Sequence, residues 1–254
     1  KPPTFTNITN NGPKDPGGTI TFSTTSSDPD GDNVKLVVCK TQGVTGTACD
    51  GGDDDTYCTS SFVGSNPSCS WDIPSVYPDG SYYAYPYIFD STNLPADSIR
   101  QGAADAFTVN NVAPLPTSIS INGGDDITLV TGTTKSVTLN VSVRDNNGCG
   151  NDEIDTVKAY MYRSGITGGY SSCDTLDENN ANNCYPEIPC TFVSCTGTQS
   201  ELPNIAQYTC NTSLQYYADP TDSYSPFPDE SWIATVKATD NGFGLGGTNP
   251  LTGT

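Results

Sequence analysis

At 254 residues the chain is long enough for two domains of ordinary size, each with its own core. Apolar residues are 34% and charged residues 15%, while Gly numbers 25 and Pro 19, so the surface must rest largely on Ser, Thr and Asn; this is turn-rich β composition, not a disordered charged tail. Ten Lys and Arg against 29 Asp and Glu give a formal net charge of −19, which repels nucleic acid and anionic membrane surfaces and attracts cations.

The opening KPPTFTNIT has no apolar signal core, and nowhere does a run approach the roughly 18 apolar residues that span a bilayer. Alternating apolar and β-branched residues predict a first strand near 3–9 and a second near 19–25. The turn DPDGD then sets Asp28, Asp30 and Asp32 at alternate positions before a strand near 34–40. A cysteine-rich excursion follows. Its acidic run DGGDDD, from Asp50 to Asp55, reads most simply as a solvated loop.

GSYYAYPYIFDS (80–91) predicts an aromatic strand near 81–89 that closes on Asp90, with Pro86 marking an edge or a bulge. Its tyrosines fit either a strand with one face in the core or a carbohydrate-stacking surface. DAFTV supplies a last strand near 105–109, and the prolines of NNVAPLP (110–116) stiffen a joint. The domains are therefore expected at 1–112 and 113–254.

Beyond the joint the plan recurs. PTSISINGGD (116–125) resembles PTFTNITNNG (3–12), and the segment 136–163 resembles 19–40: an alternating strand, an Asp-rich turn, then a strand opening on Val-Lys. ESWIATVKATDN (230–241) matches GSYYAYPYIFDS and closes on Asp240. No long stretch holds a helical period. The expected fold is all-β: two tandem immunoglobulin-like β-sandwich domains with disulfide-rich loop insertions.

The DPDGD turn, the strand ending Phe89-Asp90-Ser91 and the exit FTVNNVAP (107–114) resemble the tandem immunoglobulin-like, cadherin-like or PKD-like repeats of secreted prokaryotic surface proteins. The resemblance covers nearly the whole chain. It implies fold more than function, because such repeats serve as spacers, adhesins, surface layers and filament subunits alike.

In such a sandwich the loop between the strands near 19–25 and 34–40 (B–C) and the loop between those near 81–89 and 105–109 (F–G) share one end. Asp28, Asp30 and Asp32 should then approach Asp90, and Asp145, Asp152 and Asp155 should approach Asp240. Carboxylates gathered this way repel unless a cation sits between them, and Ca²⁺ suits such an oxygen cage. The plainer reading of Pro29-Asp30-Gly31 is a polar turn with solvated acids.

Ten cysteines and no histidine point to disulfides and an extracellular or cell-surface address. The spacing Cys39, Cys49, Cys58 and Cys69 contains no CxxC pair that would favour zinc. Aligning the copies pairs Cys58 with Cys69 and Cys195 with Cys210, leaving Cys39–Cys49. In copy two Cys149–Cys173 and Cys184–Cys190 are then favoured, although sequence leaves connectivity open. Sequons at Asn7, Asn140 and Asn211 permit N-glycosylation, whereas Asn66-Pro-Ser is blocked by its proline.

Enzyme readings fare badly. Without histidine the Ser-His-Asp and Cys-His arrangements cannot form, and paired acids on turns that recur in both copies do not describe a single active site. Two classes remain: a structural subunit of a filament, pilus or surface layer, or an adhesin that binds glycan or protein. After Asp240 the chain has only NGFGLGGTNPLTGT, with no β-like run. Copy two is therefore expected to lack its last strand, and a neighbouring subunit could donate one, most simply through PPTFTNIT, to give a head-to-tail polymer. The rival is a natural chain that continues past Thr254.

Overall fold

The computed structural model describes residues 1–150, 153–174, 180–197 and 204–240. By its internal contacts the chain divides into two units, Lys1–Asn111 and Val112–Thr254.

In chain order unit 1 runs β1 (Thr4–Asn10), β2 (Thr19–Ser27), β3 (Val34–Cys39), the small hairpin β4 (Val44–Thr45) and β5 (Ala48–Cys49), then β6 (Thr56–Thr59), β7 (Ser68–Asp72), β8 (Gly80–Asp90) and β9 (Asp105–Val109). One sheet has the order β1-β2-β7 and the other β6-β3-β8-β9, all antiparallel. That is the two-sheet arrangement of an immunoglobulin-like sandwich.

Alternation builds the interior. In β2, Ile20 and Phe22 point inward while Thr19, Thr21 and Ser23 face out. Phe22, Tyr57, Trp71, Tyr82 and Phe107 then form one aromatic cluster with ring centroids 4.8 to 6.1 Å apart. β3 is nearly all apolar because both its faces are covered. Its inner face joins the main core, and its outer face joins Val37, Cys39, Cys49, Tyr87 and Phe89 beneath the excursion that follows β3.

Unit 2 runs β10 (Leu115–Ile121), β11 (Thr134–Arg144), β12 (Ile154–Arg163), a short α1 (Tyr170–Asp174), β13 (Cys184–Thr196), β14 (Ile205–Gln215) and β15 (Trp232–Asp240). The strand order is β10-β11-β14-β13-β12-β15. β13 serves both layers: residues 184–189 pair with β12, and residues 190–196 pair with β14. Val137, Leu139, Val141 and Val143 of β11 meet Val157, Ala159 and Met161 of β12 in the core between the layers. On the outer face of β12, Tyr160 and Tyr162 form a second small core with Cys173 and Cys184.

All ten cysteines are bridged, and each bridge closes within one unit. Cys39–Cys49 and Cys58–Cys69 are as the sequence leads one to expect. The expected copy-two pairs are not formed; the bridges are Cys149–Cys195, Cys173–Cys184 and Cys190–Cys210. The cause is the path of β13. Its second half lies beside β14, which sets Cys190 opposite Cys210, while its end brings Cys195 to the turn that holds Cys149. Cys173–Cys184 fastens the excursion onto the outer face of β12, the position Cys39–Cys49 holds on β3.

Three further expectations change. The segment PPTFTNIT is β1 of its own unit, paired along β2 with Phe5 buried in the core, so donating it elsewhere would dismantle unit 1. Asp55, at the end of the acidic run, is buried and accepts hydrogen bonds from the Thr41 amide and hydroxyl, both 2.9 Å; this part of the run is structural and not solvated. The tyrosines of SYYAYPY build no stacking face: Tyr82 belongs to the aromatic core, Tyr87 is buried, and only Tyr83 is well exposed. Pro86 lies just past the stretch of β8 that pairs with β9, where its missing N–H leaves no gap in that ladder.

Among the described residues β15 has one strand partner, β12; on its other side β10 comes close without forming a ladder. The expectation about residues 241–254 lies outside the described residues. No helix among the described residues is long and apolar enough to cross a membrane.

Candidate metal centre

The first centre stands at one loop end of unit 1. β2 ends at Ser27 and the chain turns through DPDGD, with Gly31 at φ 85°, a left-handed conformation that L side chains adopt only with strain. The Asp28 Oδ1 accepts the amides of Asp30 (2.7 Å) and Asp32 (3.3 Å), which fixes the carboxylate against its own turn. On the other sheet β8 ends at Asp90. Its Oδ1 accepts the Thr92 amide (2.8 Å), the Thr92 hydroxyl (2.8 Å) and the Leu94 amide (2.9 Å).

Each carboxylate thus has one oxygen committed to its own loop. The other oxygen, Oδ2 of Asp28 and Oδ2 of Asp90, is buried without a hydrogen-bond partner. Asp28 is 9% exposed and Asp90 0%. One oxygen each from Asp28, Asp32 and Asp90 lies within 4.8 Å of the others. Burial pushes the Asp90 carboxyl up, but the hydrogen bonds from Leu94 and Thr92 outweigh it and hold the group below the usual carboxylate range. Asp30 stands apart: it is exposed and is not in this group.

Unit 2 repeats the beginning of this plan. Asp145, 1% exposed at the end of β11, accepts the Asn147 amide on Oδ1 (2.8 Å), and its Oδ2 is buried without a hydrogen-bond partner. Asn147 in turn accepts the Val112 amide (2.6 Å), and Asn204 donates to the Asp145 carbonyl (2.5 Å). Asp240, at the end of β15, and Glu153 lie close enough to act on Asp145 electrostatically. Burial first, then these two negative neighbours, push the Asp145 carboxyl up to about 7 against the pull of its amide hydrogen bonds. The Tyr208 hydroxyl, also buried without a partner, is pushed up to about 12, mainly by burial and then by Asp145.

Asp155 is exposed and occupies the bulge where β12 slips against β15, so it does not join Asp145 and Asp240. Asp152 lies outside the described residues. Glu153 was not singled out from the sequence, although it falls in the same acidic turn, NDEID. The sequon residues Asn7, Asn140 and Asn211 are all exposed. Asn140 and Asn211 share one sheet face as diagonal neighbours, since Asn211 stands opposite Thr138.

No family model matches this sequence, and no curated protein does. Among solved structures the chain is similar to a marsupial T cell receptor, with a TM-score of 0.30 and 9% identity over 98% of this chain. It spans 62% of that receptor chain's length. The class rests on the strand order of the molecule itself: an all-β, immunoglobulin-like, disulfide-bridged chain. Five bridges suit an oxidising, extracellular setting.

Proposed function

We propose that this chain is a structural subunit of an extracellular assembly, a filament, pilus or surface layer, in which immunoglobulin-like units follow one another head to tail. The observation that carries the reading is where the cross-links lie. Cys58–Cys69 joins β6 of one sheet to β7 of the other. Cys39–Cys49 and Cys173–Cys184 fasten the long excursions onto the sandwich faces, and Cys149–Cys195 and Cys190–Cys210 fasten both ends of the second half of β13. Bridges of this kind reinforce the sandwich throughout, as a mechanical element requires. The N-terminal segment PPTFTNIT does not join neighbours by strand donation, because it is β1 of its own unit.

Electron microscopy of the secreted material, with sedimentation of the purified chain over a range of concentrations, tests the reading. Regular polymers are expected; a chain that stays monomeric throughout and is absent from any filament or layer would overturn it.

A second reading, a binding module, is favoured by one cleft in unit 2. It measures about 700 Å³ and sets Trp232 and Leu214 beside Asp125, Asp126, Asp219 and Asp222, an apolar floor with polar groups around it. Glycan and protein arrays probed with wild type and Trp232→Ala separate the two readings: a specific ligand lost in the variant, without polymers, selects the binding module.

A further inference from the structure

The carboxylates of unit 1 go further than a polar turn requires. A buried carboxylate oxygen without a partner is costly, and here two of them, from Asp28 and Asp90, belong to a group of three acids with one oxygen each inside 4.8 Å. Such a group also repels itself. Hydrogen bonds account for the Oδ1 atoms and leave the Oδ2 atoms unexplained. The two acids come from different sheets, since Asp28 directly follows the last residue of β2, Ser27, and β8 closes on Asp90.

We propose that Asp28, Asp32 and Asp90 bind a Ca²⁺ ion that clamps the two sheets of unit 1 together at this end, and that Asp30 is not a ligand. The donor set is all oxygen, which selects a hard cation. Ca²⁺ tolerates the irregular geometry of two loops, whereas Mg²⁺ demands a near-octahedral shell. The loop amides hold the Asp28 and Asp90 carboxylates in place before any ion arrives. The ion acts as a second fastening between the layers beside Cys58–Cys69, and it ties down the loop that leaves Asp90 for β9. The site stands whether or not the chain polymerises.

Calorimetric titration of the chelator-treated full chain with CaCl₂ and with MgCl₂, alongside thermal melts, tests the proposal. Asp90→Asn keeps an oxygen to accept the Thr92 and Leu94 amides while removing the charge. Asp32→Asn serves as a second variant, because the Asp32 carboxylate makes none of the loop hydrogen bonds described above. Wild type and Asp30→Asn should both bind Ca²⁺ and melt higher with it; Asp90→Asn and Asp32→Asn should lose the binding event assigned to unit 1, at least a tenfold loss of affinity. The proposal is overturned by wild type that takes up no Ca²⁺ at millimolar concentration, by Asp32→Asn that binds as wild type does, or by Asp30→Asn losing the event as fully as Asp90→Asn. An equal response to Mg²⁺ would overturn the assignment to calcium.

Discussion

In the absence of divalent cations unit 2 should lose stability as pH rises from about 4 to about 7, and Asp145 should be the cause. Its carboxyl titrates near 7 in the folded chain against an ordinary value of 3.8. A group whose folded pKa is raised binds more protons in the native state than in the unfolded state between those two values. The free energy of unfolding therefore falls with pH across that window and levels off above it. A shift of about three pH units at 1.36 kcal/mol each amounts to roughly 4 kcal/mol, a large part of what an ordinary domain has. The assay is urea unfolding in chelator at a series of pH values, in a Trp71→Phe background so that Trp232 reports unit 2 alone. The quantity to compare is the pH dependence of wild type minus that of Asp145→Asn, which removes the diffuse repulsion of a chain at −19. The variant should gain on wild type by a few kcal/mol between the two ends of the window. If the two run parallel, or if wild type becomes the more stable as pH rises, the burial argument for Asp145 is refuted.

Other consequences can be checked more simply. Peptide mapping without reduction should recover Cys149–Cys195, Cys173–Cys184 and Cys190–Cys210; a Cys149–Cys173 or Cys184–Cys190 peptide would contradict the path of β13. Replacing Cys58 and Cys69 together with Ser should lower stability by about 3 kcal/mol, read by denaturant unfolding followed at Trp71. Phe107→Ala, which empties the centre of the unit 1 aromatic cluster, should cost about 3–5 kcal/mol in the same assay, whereas Tyr83→Ala, 56% exposed, should stay within about 0.5 kcal/mol. Asp55→Ala strands the amide and hydroxyl of Thr41 and should cost about 1–3 kcal/mol; no measurable loss would return the acidic run to a solvated loop.

Period-two alternation is a local property, written residue by residue, and it made β1, β2, β3, β8 and β9 of unit 1 legible, whereas β4 to β7 lay hidden in the cysteine-rich excursion. Segments such as TITFSTT and SYYAYPYIF show which residues face the core without reference to any partner. The likeness of 80–91 to 230–241 likewise carried Asp90 and Asp240 to equivalent strand ends, where both are buried. What a residue meets across the sandwich was not written locally. Asp30 sits between Asp28 and Asp32 in the same alternating pattern, yet the turn at Gly31 leaves it in solvent while the other two meet Asp90. Asp155 fits the acidic pattern of copy two, and a one-residue bulge excludes it.

The cysteines draw the same line. In copy one each pair joins neighbouring cysteines 10 or 11 residues apart and was found; Cys173–Cys184 closes an equally short loop of 11 residues and was missed, because Cys149 had been given to Cys173. In copy two β13 passes from one layer to the other, and a bridge can form only where the chain returns within reach, here across 46 residues from Cys149 to Cys195. Sequence alone determined the all-β class and the placing of acids at the turns after the strands, because those are matters of composition and period. Which carboxylates and which sulfurs meet was decided by the packing of two sheets, because proximity across a sandwich depends on bulges, turns and strand crossings that no local pattern encodes.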